Sequence, residues 1–110
     1  MKVDKKGNSI IIRNTQYKTP EFLDKFSHEY NSFKDQNLVI DLSFDKDLTL
    51  SDVKLFSNLI KQHKKVKKSL ILVADDFDYN TVPNNITLVP TVLEAHDIID
   101  MEEIERDLGF

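Results

Sequence analysis

Ser51 lies at the predicted start of a helix, where a hydroxyl group can do one of two things. It can cap the helix by accepting a hydrogen bond from a free backbone amide, or it can accept a phosphate group that those amides would stabilise. Thr49 is an alternative cap, and Asp52 would then take the third helical position, as in a capping box. The carboxylate of Asp52 would repel a phosphate on Ser51. Alternatively, it would mimic such a phosphate as a permanent negative charge.

A run of lysines crowds the end of the same predicted helix: Lys61, Lys64, Lys65, Lys67 and Lys68. Cations here complement the negative end of the helix dipole, and such a run is typical of a solvated helix face. The run could also form a basic patch that contacts RNA or an acidic protein. Since the last segment of the chain is strongly acidic, the two charged surfaces favour contact between proteins, including self-association as a homodimer.

Two groups of acidic and histidine side chains have spacings that metal binding or acid–base chemistry could use. His96, Asp100 and Glu103 share one face of a predicted helix, and Asp75-Asp76 follows a predicted strand. Neither group has further convergent ligands, and a chain with only two glycines has no phosphate-cradling loop. We therefore expect no catalytic residue, no metal site and no cofactor, and we interpret Asp75-Asp76 as a turn.

A strand–helix–strand unit positions these residues. Residues 37–43 and 69–74 are short apolar runs typical of buried strands, and residues 50–67 between them have helical spacing. The buried helix face is predicted to comprise Val53, Phe56, Leu59, Ile60 and Val66. Two strands joined by a helix lie parallel with a right-handed crossover, so the chain is predicted to form an α/β fold.

The loop after the first of these strands is the predicted functional edge, because ligands of parallel sheets bind beyond the carboxyl ends of strands. It covers residues 43–52. We predict that a partner protein contacts this surface through Asp45, Asp47, Thr49, Ser51 and Asp52.

The flanking segments complete a mixed sheet of four to five strands with helices packed on it. Residues 1–14 are predicted to form a hairpin, and Thr19 is predicted to cap a helix with an apolar face of Phe22, Leu23, Phe26, Tyr30 and Phe33. A loop or short helical turn at 77–83 precedes a short strand at 86–89. Thr91 then caps a last helix, whose apolar positions are Val92, Leu93, Ala95, Ile98, Ile99, Ile104 and Leu108.

Composition places the chain among ordinary globular proteins, with 40% hydrophobic and 31% charged residues over 110 positions. We predict one domain spanning residues 1–110. A net charge of -4 argues against nucleic acid as a partner. The chain has no cysteine, no signal-peptide pattern and no apolar run long enough to cross a bilayer, so a cytoplasmic location without a membrane partner is expected.

The order of elements and the middle segment resemble STAS domains, the fold of anti-sigma factor antagonists. That family has a central strand, a loop and a helix that begins Asp-x-Ser-Gly-Leu, in which the serine is a phosphorylation switch. Aligned on NLVIDLS, Ser51 falls on the switch serine and Val53 on the leucine. Thr49 replaces the aspartate and Asp52 the glycine. The resemblance implies a STAS-like domain that binds an anti-sigma factor or kinase.

The segments VPTVLEAHDIIDMEEIERDLGF, HEYNSFKDQNLVIDLS and HKKVKKS are similar to short proteins of Bacteroidetes that often carry the label ribonuclease Z. Genuine ribonuclease Z is a longer metallo-β-lactamase-fold enzyme with a His-x-His-x-Asp-His zinc motif. His28, His63 and His96 lie too far apart to form that motif. The similarity implies, at most, an accessory linked to ribonuclease Z or tRNA processing.

The leading hypothesis is a non-catalytic, regulatory protein-interaction module of STAS type. The alternative is an accessory to RNA processing that uses the lysine run to contact RNA or an acidic protein, including ribonuclease Z. A third hypothesis takes the nuclease label literally, and it requires a hydrolytic metal site that the motifs do not supply.

Overall fold

A computed structural model of the chain describes residues 1–109. One mixed sheet contains five strands in chain order: β1 (Lys2–Lys6), β2 (Ser9–Arg13), β3 (Asn37–Asp41), β4 (Leu70–Val73) and β5 (Leu88–Val89). β1 pairs antiparallel with β2, and each later neighbour pair is parallel. The predicted α/β fold with a mixed sheet is confirmed. Phe110, which closes the predicted domain of residues 1–110, lies outside the described residues.

Helices connect β2 to β3 and β3 to β4, a further helix follows β5, and together they cover both faces of the sheet. They are α1 (Thr19–Glu29), α2 (Leu50–Lys54), α3 (Ser57–Lys65) and α4 (Val92–Asp107), with single 3₁₀ turns at Tyr30–Ser32 and Tyr79–Thr81. Within residues 1–109, no helix is both long enough and apolar enough to cross a membrane.

Alternation along the strands divides the core into two clusters, because successive strand side chains point to opposite faces. On one face, residues such as Ile12 and Ile40 pack against the aromatic side chains of α1 and against α2 and α3. On the other face, Ile11, Val39, Ile71 and Val73 pack against α4 through Ala95 and Ile99. The single helix α4 therefore covers a smaller core than the three helices opposite.

The helix predicted for residues 50–67 is two helices. The amides of Leu55 and Phe56 donate to carbonyl oxygens only three residues back, at 3.2 and 3.1 Å. These bonds form a 3₁₀-type turn that ends α2, and α3 begins after it. The prediction that Val66 is buried is wrong, since α3 ends at Lys65 and Val66 is 45% exposed. Lys67 closes the helix in the left-handed region, with φ of 61°.

A buried histidine joins α1 to α3. His63 is fully buried, its Nδ1 lies 2.7 Å from the Tyr30 hydroxyl group, and its Nε2 lies 2.7 Å from the Gln36 carbonyl oxygen. A carbonyl oxygen can only accept, so Nε2 carries the proton and the Tyr30 hydroxyl group donates to Nδ1. Burial lowers the pKa of His63, and the charges of Lys68 and Arg106 act in the same direction.

The last helix exposes much of its apolar content. Thr91 caps α4 as predicted, with its hydroxyl oxygen accepting from the Glu94 amide at 3.1 Å. Three of its predicted apolar positions, Leu93, Ile104 and Leu108, are however 58–69% exposed, so these side chains do not contribute to the core. These residues lie on the side of α4 opposite Ala95 and Ile99.

Candidate functional site

The loop that follows β3 is anchored by a buried carboxylate. Asp45 is 6% exposed, and its carboxylate accepts hydrogen bonds from the amide and the hydroxyl group of Thr19, each at 2.8 Å, and from the Asp47 amide at 3.1 Å. Burial alone would raise the pKa of Asp45. The bonds from Thr19 and Asp47, together with the charge of Lys18, outweigh burial and hold this pKa below its usual value.

The same contact caps α1. The sequence predicts that Thr19 caps this helix, which is wrong: Thr19 is the first helical residue, and no local side chain makes the cap bond. The carboxylate of Asp45, 26 residues further along the chain, accepts from the Thr19 amide instead. The start of α1 and the loop after β3 are therefore held together as one structure.

A second turn brings the segment before α1 to the same place. Asn14 is buried; its side-chain oxygen accepts from the Tyr17 amide at 3.0 Å, and its Nδ2 donates to the Tyr17 carbonyl oxygen at 2.6 Å. The Asn14 amide in turn donates to the Asp41 carbonyl oxygen at the end of β3, at 3.1 Å. This turn fixes Tyr17 next to the loop after β3.

These two segments form a shallow hollow of about 380 Å³, which we call the carboxyl-edge hollow. It is lined by Gln16, Tyr17, Lys18, Phe44, Asp45, Lys46 and Asp47. The Phe44 ring is 51% exposed, and Tyr17 is half-buried beneath the Lys25 ammonium group, 4.9 Å from its ring centre.

Charged groups of both signs surround these rings. Lys18 forms an ion pair with Asp47, which raises the pKa of Lys18, and Lys46 reaches Asp75 at 3.4 Å. Asp75 follows β4, so this second pair links two neighbouring strand ends. The hollow therefore combines exposed aromatic surface with a rim of mixed charge.

The helix start at Thr49 has the predicted capping box. The Thr49 hydroxyl oxygen accepts from the Asp52 amide at 3.2 Å, and the Asp52 carboxylate accepts from the Thr49 amide at 3.1 Å. Ser51 is the second helical residue and is exposed, so the alternative in which Ser51 caps the helix is wrong. Of the predicted partner surface, Asp45 and Asp47 line the carboxyl-edge hollow, whereas Thr49, Ser51 and Asp52 do not.

The lysine run lies away from this site. Lys61 and Lys65 occupy the outer side of α3, opposite the buried Leu59, Ile60 and His63, and Lys64 lies at the edge of that side. Lys67 and Lys68 follow the end of that helix. Within residues 1–109, none of the five forms an ion pair.

Acidic residues stand close to part of that run. A hollow of about 470 Å³ between α3 and α4 is lined by Lys64, Lys67, Glu102, Glu105, Arg106 and Gly109. Cations and carboxylates therefore alternate around it, and the local field has no single sign.

Glu103 and Asp75, one residue from each of the two groups considered for metal binding, have other partners. Glu103 forms an ion pair with Arg106 and accepts from the Asn37 amide group at 3.1 Å, and these contacts lower the pKa of Glu103. Asp75-Asp76 lies in a bend after β4. Over residues 1–109 there is no cluster of three or more His, Asp or Glu side chains that could hold a metal ion.

Sequence reasoning missed the two aromatic residues of the carboxyl-edge hollow. Phe44 carried a usable signal, because it is an aromatic residue inside a polar loop at the predicted functional edge. Tyr17 carried none, since only the Asn14 turn and the Asp45–Thr19 contact bring it there.

The sequence matches no protein-family model, and comparison with curated proteins finds no match.

Proposed function

We propose that this protein is a non-catalytic, cytoplasmic regulatory domain of STAS type that binds another protein through the carboxyl-edge hollow. The observation that carries this proposal is the exposed Phe44 ring beside Tyr17, on a loop anchored by the buried Asp45 carboxylate. The order of elements that resembles STAS domains supports the same reading.

The chemistry of the hollow suits a protein partner. Binding energy in protein interfaces is concentrated in a few aromatic or arginine anchors surrounded by a polar rim. Phe44 and Tyr17 supply such anchors, and Lys18, Lys46 and Asp47 supply a rim of both signs. A partner of matching shape would bury the Phe44 ring and exchange hydrogen bonds with the rim.

The anchored loop reduces the cost of binding. An exposed loop that must be ordered on binding pays conformational entropy, whereas a pre-organised loop does not. The carboxylate of Asp45 receives three hydrogen bonds from two segments, and these fix the backbone that follows Phe44 before any partner arrives.

Affinity purification with matched variants tests the proposal. The tagged chain is isolated from the cells that make it, alongside Phe44→Ala and the control Val3→Ala, which shortens an equally exposed apolar residue on β1. We expect one protein to be recovered with the wild type and with Val3→Ala, and to fall about ten-fold with Phe44→Ala. Equal recovery with Phe44→Ala would reject the hollow as the binding site.

Phosphorylation of Ser51 is the proposed regulation. In favour of it, the Ser51 hydroxyl group is exposed and Thr49 has taken the capping role, so a phosphate would displace no structural contact there. The adjacent Asp52 carboxylate is held by the Thr49 amide at 3.1 Å. The charge of Asp52 opposes the addition of a phosphate, and a Ser51 phosphate would increase the negative charge at the start of α2.

Intact-mass measurement of the purified protein tests this regulation. We expect a fraction heavier by one phosphate group, which is absent from Ser51→Ala and retained in Ser32→Ala, a change at another exposed serine. A phosphate that persists in Ser51→Ala would place the modification elsewhere.

RNA is a weaker candidate ligand for the lysine run. The five lysines are free of ion pairs within residues 1–109, which favours an acidic partner. Glu102 and Glu105, however, share a hollow with Lys64 and Lys67, and their charge opposes phosphate binding. If the protein is an RNA accessory, its affinity for RNA should fall steeply with salt and in Lys64→Glu/Lys65→Glu. If it binds a protein through the carboxyl-edge hollow, that variant should bind the protein partner as the wild type does.

A further inference from the structure

The outer side of α4 carries an apolar stripe that the fold does not use. Leu93, Met101, Ile104 and Leu108 are 69%, 61%, 58% and 66% exposed. At 100° per residue these four side chains fall within one quarter of the helix circumference, on the side opposite Ala95 and Ile99. We call this stripe and the carboxylates around it the outer face of α4.

Carboxylates surround the stripe on both sides. Asp97 lies within it, Glu94 and Glu105 flank one edge, and Asp100 and Asp107 flank the other. All five are exposed, and none forms an ion pair within residues 1–109. The only cation of this helix, Arg106, points to the opposite side, where it bonds to Glu103 and Ser69.

We propose that the outer face of α4 binds a cationic amphipathic helix of a partner protein. Exposed apolar side chains at helical spacing are the counterpart of a partner helix that buries its own apolar stripe. The ring of five unpaired carboxylates selects lysine or arginine at the flanking positions of that helix. The stripe from Leu93 to Leu108 is about 22 Å long, which matches a partner helix of about 15 residues.

The charge pattern excludes two other occupants. Two copies of this chain joined through α4 would bring five carboxylates from each copy together, and like charges that face each other in an interface oppose association. An anionic membrane surface would be repelled for the same reason. A cationic helix is the occupant that both buries the stripe and neutralises its rim.

This face is separate from the carboxyl-edge hollow. α4 packs on the sheet face that carries Ile11, Val39 and Ile71, whereas the hollow lies between the start of α1 and the loop after β3. The two proposals rest on different residues, so either can fail without the other.

Titration of the full chain with synthetic peptides tests the proposal. The probe is a helical peptide of about 15 residues with leucine at core positions and lysine at flanking positions. The comparison peptides are a scrambled version and a version with glutamate in place of lysine. Backbone amide chemical shifts of the protein report where each peptide binds.

We expect the lysine peptide to shift amides of residues 92–108 and to bind at least about ten-fold more tightly than either comparison peptide. Met101→Ser/Ile104→Ser is expected to weaken binding of the lysine peptide about ten-fold. Asp97→Asn/Asp100→Asn is expected to weaken this binding and to reduce its dependence on salt. Leu55→Ser removes a 50%-exposed leucine from the turn between α2 and α3 and is expected to leave peptide binding unchanged.

Three results would overturn the proposal. The first is equal binding of the scrambled or glutamate peptide, and the second is shifts confined to residues outside α4. The third is a dimer in sedimentation that Met101→Ser/Ile104→Ser dissociates, because the occupant would then be a second copy.

Discussion

The two faces of the sheet are covered very unequally. On one face, Phe22 and Phe26 of α1 stack in series with Phe33, which follows the 3₁₀ turn, and the ring centres are 5.9–6.2 Å apart. Phe56, just before α3, and the buried His63 of α3 lie on the same face. On the other face a single helix, α4, contributes two buried residues, Ala95 and Ile99. α4 is the longer helix, with 16 residues against 11 in α1.

This difference shows that apolar content and burial are separate properties of a helix. α1 places its large aromatic residues in the core, whereas α4 exposes Leu93, Met101, Ile104 and Leu108. Stability should therefore reside mainly on the α1 face, and the surplus apolar surface of α4 is free to bind a partner. The following substitutions test this division, in order of decreasing expected effect.

Phe26→Ala should cause the largest loss of stability. Phe26 is fully buried and contacts three aromatic rings, so truncation removes about 3–5 kcal/mol from the free energy of unfolding. Ile99→Ala on the opposite face should cost less, near the lower end of about 2–5 kcal/mol. Urea unfolding at pH 7 measures both, and an equal or larger loss for Ile99→Ala would contradict the unequal division.

Asp45→Asn should destabilise the protein by about 1.5–3 kcal/mol, because it removes a charge that strengthens three hydrogen bonds, two of which are buried. The folded pKa of Asp45 is lowered, so its contribution is present above the usual carboxyl pKa and is lost as pH falls through the folded value. The difference between Asp45→Asn and wild type in urea should thus shrink from pH 7 to pH 3. Asp47→Asn, at an exposed carboxylate, is the control and should change little.

His63 should make stability depend on pH between neutral and mildly acidic conditions. Its pKa is lowered from 6.5 in the folded chain, so the unfolded chain binds the proton first as pH falls below about 6.5. Stability is then lost towards lower pH with a slope of up to about 1.4 kcal/mol per pH unit.

Variants separate this effect from the other histidines. In His63→Phe, which keeps an aromatic ring but has no titrating group, the urea midpoint should change much less between pH 7 and pH 5 than it does in the wild type. His28→Gln, at an exposed histidine, should retain that change. A loss of the change in His28→Gln alone would reject the assignment to His63.

Ile104→Ser should have the smallest effect, within about 0.5 kcal/mol, because the side chain is 58% exposed and serine has a similar helix propensity. Thermal unfolding of this variant beside Ile99→Ala compares the two sides of one helix. A loss above 1 kcal/mol at Ile104 would mean that the outer face of α4 supports the fold and is not surplus surface.

Local chemistry made much of this fold predictable. The strands around Leu38 and Ile71 are short apolar runs, and the capping bonds of Thr49 and Thr91 follow from residues three positions apart. The predicted hairpin of β1 and β2 is confirmed, and it too depends on local residues, since Gly7 supplies the positive φ of its turn. Each of these features is decided by neighbours in the sequence.

The features that sequence reasoning missed depend on contacts between distant residues. Asp45 caps α1 across 26 positions, and His63 is buried only because Tyr30 and the Gln36 carbonyl group satisfy its ring nitrogens. The exposure of Ile104 depends on how much of α4 the sheet can cover. The candidate site was therefore only partly predictable. The sequence predicted that Asp45 and Asp47 belong to it, but not that Tyr17 and Phe44 do.

The central claim, that the carboxyl-edge hollow binds another protein, is tested most directly by photochemical crosslinking. A p-benzoylphenylalanine residue placed at position 44 keeps the aromatic ring and reacts with whatever contacts it on irradiation, and position 66, at the similarly exposed Val66, is the control. The account predicts one protein adduct at position 44, in the cells that make this protein, that position 66 does not give. No protein adduct at position 44, or the same adducts at both positions, would contradict it.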